Sequence, residues 1–121
     1  MGLDQNLVMA RNKHAVESEN FWDTCIDAKD RGEEFEYNQP AELWYNRKNW
    51  SLHYHMSSKY DLENGEWVEL DREGLEDMLD FLSHTPDYWN GFSSVPALCK
   101  VLYNYDTIRE NGFAVFYEGD Y

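Results

Sequence analysis

The sequence predicts a single α+β domain, in which a mainly antiparallel or mixed sheet is covered by three to four helices. The chain has 121 residues, of which 42% are hydrophobic and 17% aromatic, so it can bury one core. Apolar residues repeat with period two in some stretches and at helical spacing in others. These stretches follow the order strand, helix, strands, helix, strand, helix, helix, strand, which is typical of α+β proteins. We therefore expect residues 1–121 to form one domain.

The first third of the chain alternates strand and helix patterns. Leu3–Met9 predicts a strand, and a polar loop follows it. Ser18 is a helix-capping residue, and the apolar stripe after it predicts a helix to about Arg31. Glu34–Tyr37 and Ala41–Arg47 predict two short strands around a turn-forming sequence.

The next stretch fits two patterns. Apolar and polar side chains alternate through Trp50–Ser57, which is a strand pattern. Asn49 is also a good helix cap, and apolar residues follow it at spacings of three and four. Trp50–Lys59 is therefore predicted as a strand or as a helix.

The second half gives clearer signals. Trp67–Leu70 predicts a strand, and Asp71 caps an amphipathic helix after it. The apolar stripe of that helix consists of Leu75, Met78, Leu79 and Leu82. A third helix begins near Ser94 and is stopped by Gly112. Phe113–Glu118 is apolar at almost every position, which predicts an interior strand covered on both faces.

Charge is distributed unevenly along this acidic chain. Residues 1–60 carry 10 acids and 7 bases, and residues 61–121 carry 14 acids and 3 bases, which together give the net charge of -14. Because carboxylates repel phosphate, we expect no direct binding of nucleic acid. The negative charge favours a partner with a basic surface, including a protein for which the acidic residues imitate nucleic acid. In the alternative interpretation, these residues form an ordinary solvated face. The residues predicted to meet such a partner are Glu69, Glu73, Glu76, Asp77 and Asp80.

Residues 42–56 place basic and aromatic side chains together. If a strand ends at Arg47 and a helix starts at Trp50, the cations lie beside the unpaired N–H groups of the helix start, where anions bind. The predicted ligands of a phosphate or carboxylate are Tyr45, Arg47, Lys48 and His53. In the alternative interpretation, the two cations pair with the protein's own carboxylates and His53 completes a hydrogen bond in the core.

Several functional classes lack their sequence signals. The chain has no P-loop, dinucleotide fingerprint, nucleophile elbow or zinc-ligand spacing, so we predict no catalytic residue and no cofactor. On a helix, His53 and His55 would diverge and could not share a metal ion. Cys25 and Cys99 are expected to be buried thiols in a reducing compartment. No apolar run is long enough for a membrane helix and the start does not resemble a signal peptide, which predicts a cytosolic protein.

Part of the sequence resembles a family of small proteins of tailed bacteriophages and prophages. Residues 42–56 are similar to their E-x-x-Y-W-R-K-x-x-x-L-H-x-[WY]-M stretch, and the chain begins Met-Gly-Leu-Asp as theirs often do. These proteins commonly have proline at the position of Trp50, which favours a helix from that residue. The chain departs from them at Asn46, where they have tryptophan, and at residues 91–94, which replace a phenylalanine-rich loop.

The resemblance implies a bacteriophage protein that acts in the host cytoplasm. Together with the acidic second half, it leads us to expect a binding protein rather than an enzyme. The predicted function is inhibition of a host or anti-phage defence factor that has a basic surface. The alternative is a nucleotide- or phosphate-binding protein, or an enzyme, that uses the basic strand–helix corner. A component of the virion or of its assembly is a third possibility.

Overall fold

A five-stranded sheet forms the centre of the molecule. The structure, a computed structural model, describes residues 2–27, 37, 39–84 and 94–121. The strands are β1 (Asp4–Ala10), β2 (Ile26–Asp27), β3 (Ala41–Arg47), β4 (Trp67–Leu70) and β5 (Ala114–Asp120). Their order is β2-β3-β1-β5-β4, and all neighbours are antiparallel except the short β2, which runs parallel to β3. The predicted α+β class with a mainly antiparallel sheet is confirmed.

Helices cover both faces of this sheet. Within the described residues they are α1 (Lys13–Val16), α2 (Phe21–Thr24), α3 (Trp50–Tyr60), α4 (Arg72–His84), α5 (Val95–Tyr103) and α6 (Tyr105–Glu110). The larger core joins α3 to α6 to one face of the sheet, and the smaller core joins α1 and α2 to the other. We call these the α3–α6 face and the α1–α2 face.

The interior strands alternate between the two cores. On β1, Leu7 and Met9 belong to the larger core and Val8 to the smaller one. On β5, Tyr117 and Phe116 divide in the same way. Successive side chains of a strand point to opposite faces, so both strands need apolar residues at consecutive positions. The prediction that the last strand is interior and covered on both faces is confirmed.

The helices α3 to α6 lie where the sequence pattern predicts helices. Asn49 caps α3, because its side-chain oxygen accepts a hydrogen bond from the N–H of Leu52 at 3.1 Å, so the helical interpretation of this stretch is confirmed. The helix predicted to begin near Ser94 is divided into α5 and α6 at Asn104, whose side chain donates to the Lys100 carbonyl oxygen at 2.8 Å. Gly112 ends α6 with a φ of 83°, a conformation that favours glycine.

The predicted helix from Ser18 to Arg31 is wrong. Among its described residues only the single turn of α2 is helical, and β2 then pairs with β3. Residues 28–31 of the prediction lie outside the described residues. Polar side chains bond locally here: Ser18 Oγ donates to the Asn20 side chain at 2.6 Å, and Thr24 Oγ1 donates to the Phe21 carbonyl oxygen at 2.9 Å. Such bonds compete with a continuous helix.

Three further predictions concern the two cysteines, the strand at Glu34–Tyr37 and membrane-spanning helices. Cys25 is half-buried and Cys99 is exposed on α5, so the expectation of two buried thiols is wrong. Residues 34–36 of the strand predicted at Glu34–Tyr37 lie outside the described residues, and Tyr37 has a left-handed φ of 55°. In the part of the chain that is described, no helix has both the length and the apolar character to span a bilayer.

Candidate functional site

The basic corner lies where β3 ends and α3 begins. Lys48 makes the turn with a left-handed φ of 61°, and its N–H donates to the Leu3 carbonyl oxygen at 2.7 Å. Asn49 then starts the helix, and its own N–H donates to the Gln5 side-chain oxygen at 3.2 Å. Leu3, just before β1, and Gln5, within it, therefore hold two consecutive residues of the turn.

The outward side of this corner is organised by Asp4. The Tyr45 hydroxyl donates to Asp4 Oδ1 at 2.6 Å, and Arg47 Nε lies 3.5 Å from the same oxygen. Burial, followed by the hydrogen bond with Asp4, raises the pKa of Tyr45. The Arg47 side chain is 60% exposed, so its ion pair with Asp4 is a surface one and contributes little stability.

The inward side is a buried polar network around Tyr117. The Tyr117 hydroxyl accepts a hydrogen bond from Gln5 Nε2 at 3.1 Å and lies 3.2 Å from His53 Nδ1. Because the hydroxyl oxygen accepts from Gln5, its hydrogen can be donated to Nδ1, which places the imidazole proton on Nε2. Burial lowers the pKa of His53, which is 3% exposed, so the ring is neutral near pH 7. Burial also raises the pKa of Tyr117.

Gly119 completes the packing of this network. A Cβ atom at this position would collide with the His53 ring, so the close approach of strand and ring requires glycine. The neighbouring Asn46 is also buried: its Oδ1 accepts from the Arg47 N–H at 2.9 Å, and its Nδ2 has no hydrogen-bond partner among the residues that the structure describes. The packing here is therefore tight and is determined by polar groups of the protein itself.

The structure separates the four residues predicted to bind an anion. Tyr45 and Arg47 meet at Asp4 on the α1–α2 face, whereas His53 lies against Tyr117 on the α3–α6 face. Lys48 is half-buried, and its aliphatic carbons lie beside Gly2. The contacts of Arg47 and His53 agree with the alternative interpretation, and anion binding there stays a prediction.

His55 belongs to a different contact, between α3 and α4. Its Nε2 lies 2.7 Å from Asp77 Oδ2, and its ring stacks on Phe81 at 4.4 Å. Lys59 Nζ reaches the same carboxylate oxygen at 3.4 Å. Burial alone would raise the pKa of Asp77, but His55 and Lys59 lower it on balance. His53 and His55 thus diverge as expected, and the described residues contain no cluster of three metal-ligating side chains.

Four of the five predicted acidic residues share one side of α4. Glu73, Glu76, Asp77 and Asp80 fall within an arc of about 100° around the helix. The opposite side is buried and consists of Gly74, Leu75, Met78 and Leu82. We call these four carboxylates the acidic face of α4. Asp77 is bound to Lys59, whereas the other three carboxylates have no lysine or arginine partner among the described residues.

Glu69 does not belong to this face. It lies on β4, where it pairs with Phe116 of β5. Because Phe116 belongs to the smaller core, the side chain of Glu69 projects on the α1–α2 face, and α4 packs on the other one. The sequence spacing correctly predicted that the four acids of α4 share one side, because neighbours on a helix are fixed locally. It did not determine on which face of the sheet the side chain of Glu69 projects.

Sequence reasoning missed Glu118 and an aromatic cluster. Glu118 is half-buried on β5, where burial and then the negative charge of Asp120 raise its pKa to about 7. The rings of Trp50, Tyr54 and Tyr121 meet at the surface beside α3. A helical spacing of four between Trp50 and Tyr54 is the only local signal for this cluster.

The strongest asymmetry of the surface is thus one of charge. Glu73, Glu76 and Asp80 lack a lysine or arginine partner among the described residues, although Asp80 Oδ1 lies 3.4 Å from His84 Nδ1. The exposed Arg47, in contrast, pairs with Asp4. Comparisons of the chain with family models, curated proteins and solved structures found no match. The functional argument therefore depends on this geometry.

Proposed function

We propose that this protein acts by binding a basic protein partner through the acidic face of α4. In this proposal it is a bacteriophage accessory protein that inhibits a host or anti-phage defence factor in the host cytoplasm. The observation that carries it is the row of Glu73, Glu76 and Asp80, which are exposed and have no lysine or arginine partner among the described residues. The resemblance of residues 42–56 to small bacteriophage proteins supports a host factor as the target.

The spacing of these carboxylates supports imitation of nucleic acid. Glu73 to Asp80 spans about 10 Å of helix axis, since an α-helix rises about 1.5 Å per residue. The acidic face of α4 therefore carries one carboxylate per about 3.5 Å, close to the ~3.4 Å per charge of one DNA strand. A protein surface that binds a phosphate backbone would find a similar density of negative charge here, although Lys59 offsets the charge of Asp77.

The same carboxylates do not help the fold. Like charges three or four positions apart on a helix destabilise it by about 0.2–0.5 kcal/mol per pair. The acidic face of α4 contains such pairs, for example Glu73 with Asp77 and Glu76 with Asp80. An arrangement that costs stability, and that nearby cations leave mostly uncompensated, fits a role in recognition.

Affinity capture with charge variants tests this proposal. The α4 triple variant carries Glu73→Gln, Glu76→Gln and Asp80→Asn. The matched triple variant carries Glu17→Gln, Glu19→Gln and Asp23→Asn, which removes the same charge from exposed residues of the α1–α2 region. Each protein is immobilised and exposed to bacterial lysate, and retained proteins are eluted with rising salt.

The proposal predicts a basic protein that is retained by the wild type and by the matched triple variant. The α4 triple variant should lose it, and salt should elute it, because screening weakens contacts between exposed charges. Equal retention on all three proteins would show that the acidic face of α4 is not the binding surface. Retention that is insensitive to salt, or no retained protein at all, would contradict the proposal as well.

A further inference from the structure

We propose that the cluster of Trp50, Tyr54 and Tyr121 binds an arginine side chain of the basic partner. The cluster lies at the surface of α3, on a different side of that helix from His55 and Lys59, which contact α4. This inference rests on the proposed function for the identity of the partner. It adds a second contact surface and the kind of residue that occupies it.

The two tyrosine rings are exposed although both contact Trp50, which is itself half-buried. The ring centroids of Trp50 lie 5.9 Å from Tyr54 and 5.2 Å from Tyr121, with interplanar angles of 34° and 59°. Tyr54 is 66% exposed and Tyr121 is 44% exposed. Aromatic rings that stay accessible while packed together are typical of binding surfaces, because their rigid area is ordered before the partner arrives.

Tyr121 is held in place by hydrogen bonds of its backbone. Its N–H donates to Asn64 Oδ1 at 2.8 Å, and its carbonyl oxygen accepts from Asn64 Nδ2 at 2.7 Å. The Gly65 N–H donates to the Gly119 carbonyl oxygen at 3.0 Å, which fixes the same loop to β5. The ring of Tyr121 also meets the buried His53 ring edge-on at 5.2 Å. The cluster is therefore fixed by the fold.

The charges around the cluster favour a cation as its ligand. Two exposed acids adjoin it in the chain: Asp61 ends α3, and Glu63 precedes Asn64. Lys48 is the nearest lysine or arginine in sequence, and its side-chain carbons lie beside Gly2. Cations bind the faces of tryptophan and tyrosine rings, and the planar guanidinium of arginine also stacks on them.

Two probe peptides test this assignment, an arginine decapeptide and a lysine decapeptide. Their affinities are measured by calorimetry for the wild type and for Tyr54→Ala, Tyr54→Phe and Tyr103→Ala. Tyr103 provides the matched control, because it is 89% exposed on α5 and outside the cluster. Thermal melting of each variant verifies that the fold is kept.

The arginine peptide should bind the wild type more tightly than the lysine peptide does. Tyr54→Ala should weaken binding of the arginine peptide about two- to five-fold, the range of an exposed cation–π contact. Tyr54→Phe and Tyr103→Ala should leave it unchanged. The inference is overturned if Tyr54→Ala has no effect, or no more effect than Tyr103→Ala.

The α4 triple variant separates the two proposals in the same assay. A loss of affinity in that variant without a loss in Tyr54→Ala overturns only the arginine contact. A loss in Tyr54→Ala without one in the α4 triple variant contradicts the proposed function and keeps the aromatic contact. If the wild type binds neither peptide at low salt, both proposals fail.

Discussion

The basic corner and the acidic face of α4 use charge in opposite ways. At the corner, Tyr45 and Arg47 meet Asp4, and His53 is enclosed with Tyr117. On α4, Glu73, Glu76 and Asp80 are exposed, and only the half-buried Asp77 contacts a lysine among the described residues. Both regions are conspicuous in the sequence. The protein's own side chains contact the residues of the basic corner, whereas most carboxylates of the acidic face of α4 stay available to a partner.

This difference separates residues that hold the fold from residues available to a partner. A polar group that is buried and hydrogen-bonded is costly to alter, because its loss leaves other buried groups unsatisfied. An exposed charge can be changed with little effect on folding. Substitutions at the corner should therefore lower the free energy of unfolding, whereas substitutions on α4 should change binding.

The largest effect is expected for Gly119→Ala. The new methyl group would collide with the His53 ring, and overpacking of this kind costs about 1–3 kcal/mol, with values near the upper end expected beside a rigid ring. Urea denaturation measures the free energy of unfolding. In a His53→Ala background the same substitution should cost much less, because the ring is gone. A Gly119→Ala protein as stable as the wild type would contradict the packing of the corner.

A smaller effect is expected for Tyr117→Phe, with Tyr45→Phe as its matched comparison. Each removes one hydroxyl group, but that of Tyr117 lies in the buried network with Gln5 and His53. Tyr117→Phe should lower the free energy of unfolding by about 1–3 kcal/mol, since it leaves buried partners unsatisfied. Tyr45→Phe, at an exposed bond to Asp4, should cost under about 1 kcal/mol. Equal losses would mean that the inward and outward sides of the corner do not differ.

Glu118 is a half-buried acid, and its ionisation should make the stability of the protein depend on pH. Its pKa is about 7 in the folded protein and 4.5 in the unfolded chain, because burial and Asp120 disfavour the charged form. Between these pH values the folded state keeps a proton that the unfolded state releases, so stability present below pH 4.5 is lost as pH rises to about 7.

Glu118→Gln should remove this pH dependence. Relative to the wild type, the variant should gain about 1–2 kcal/mol between the two pH values, after allowance for solvent screening. Denaturation at a series of pH values measures the difference. Asp120→Asn should remove only part of it, because burial is the larger cause. A constant difference between wild type and Glu118→Gln across this range would refute the assignment.

The smallest effect is expected when phosphate is added. Asp4 already contacts Tyr45 and Arg47, and His53 is buried, so inorganic phosphate should shift the melting temperature by less than about 1 °C. An occupied site at a hundred times its Kd would add about 2.7 kcal/mol to the stability. If phosphate stabilises the wild type by that amount and does not stabilise the Arg47→Ala variant, the corner binds an anion after all.

Local patterns predicted most of the fold because they fix local geometry. The period of Leu75, Met78 and Leu82 defined α4 and the side on which its acids lie. The helix predicted from Ser18 failed because short polar side chains bond locally and β2 pairs with β3. His53 and Tyr117 are 64 residues apart, so no local pattern indicates their contact. The network at the corner depends on the register of β1 with β3 and β5, which arises only in the folded sheet.

The dependence of affinity on salt tests the central claim most directly. The arginine decapeptide is titrated into the wild type, the α4 triple variant and the matched triple variant at about 50 and 300 mM salt, where screening differs strongly. We expect the wild type and the matched triple variant to bind alike and to lose affinity steeply as salt rises. The α4 triple variant should bind more weakly at low salt and depend less on salt. Equal losses in the two triple variants would show that only net charge matters and would contradict the claim that the acidic face of α4 is a binding surface.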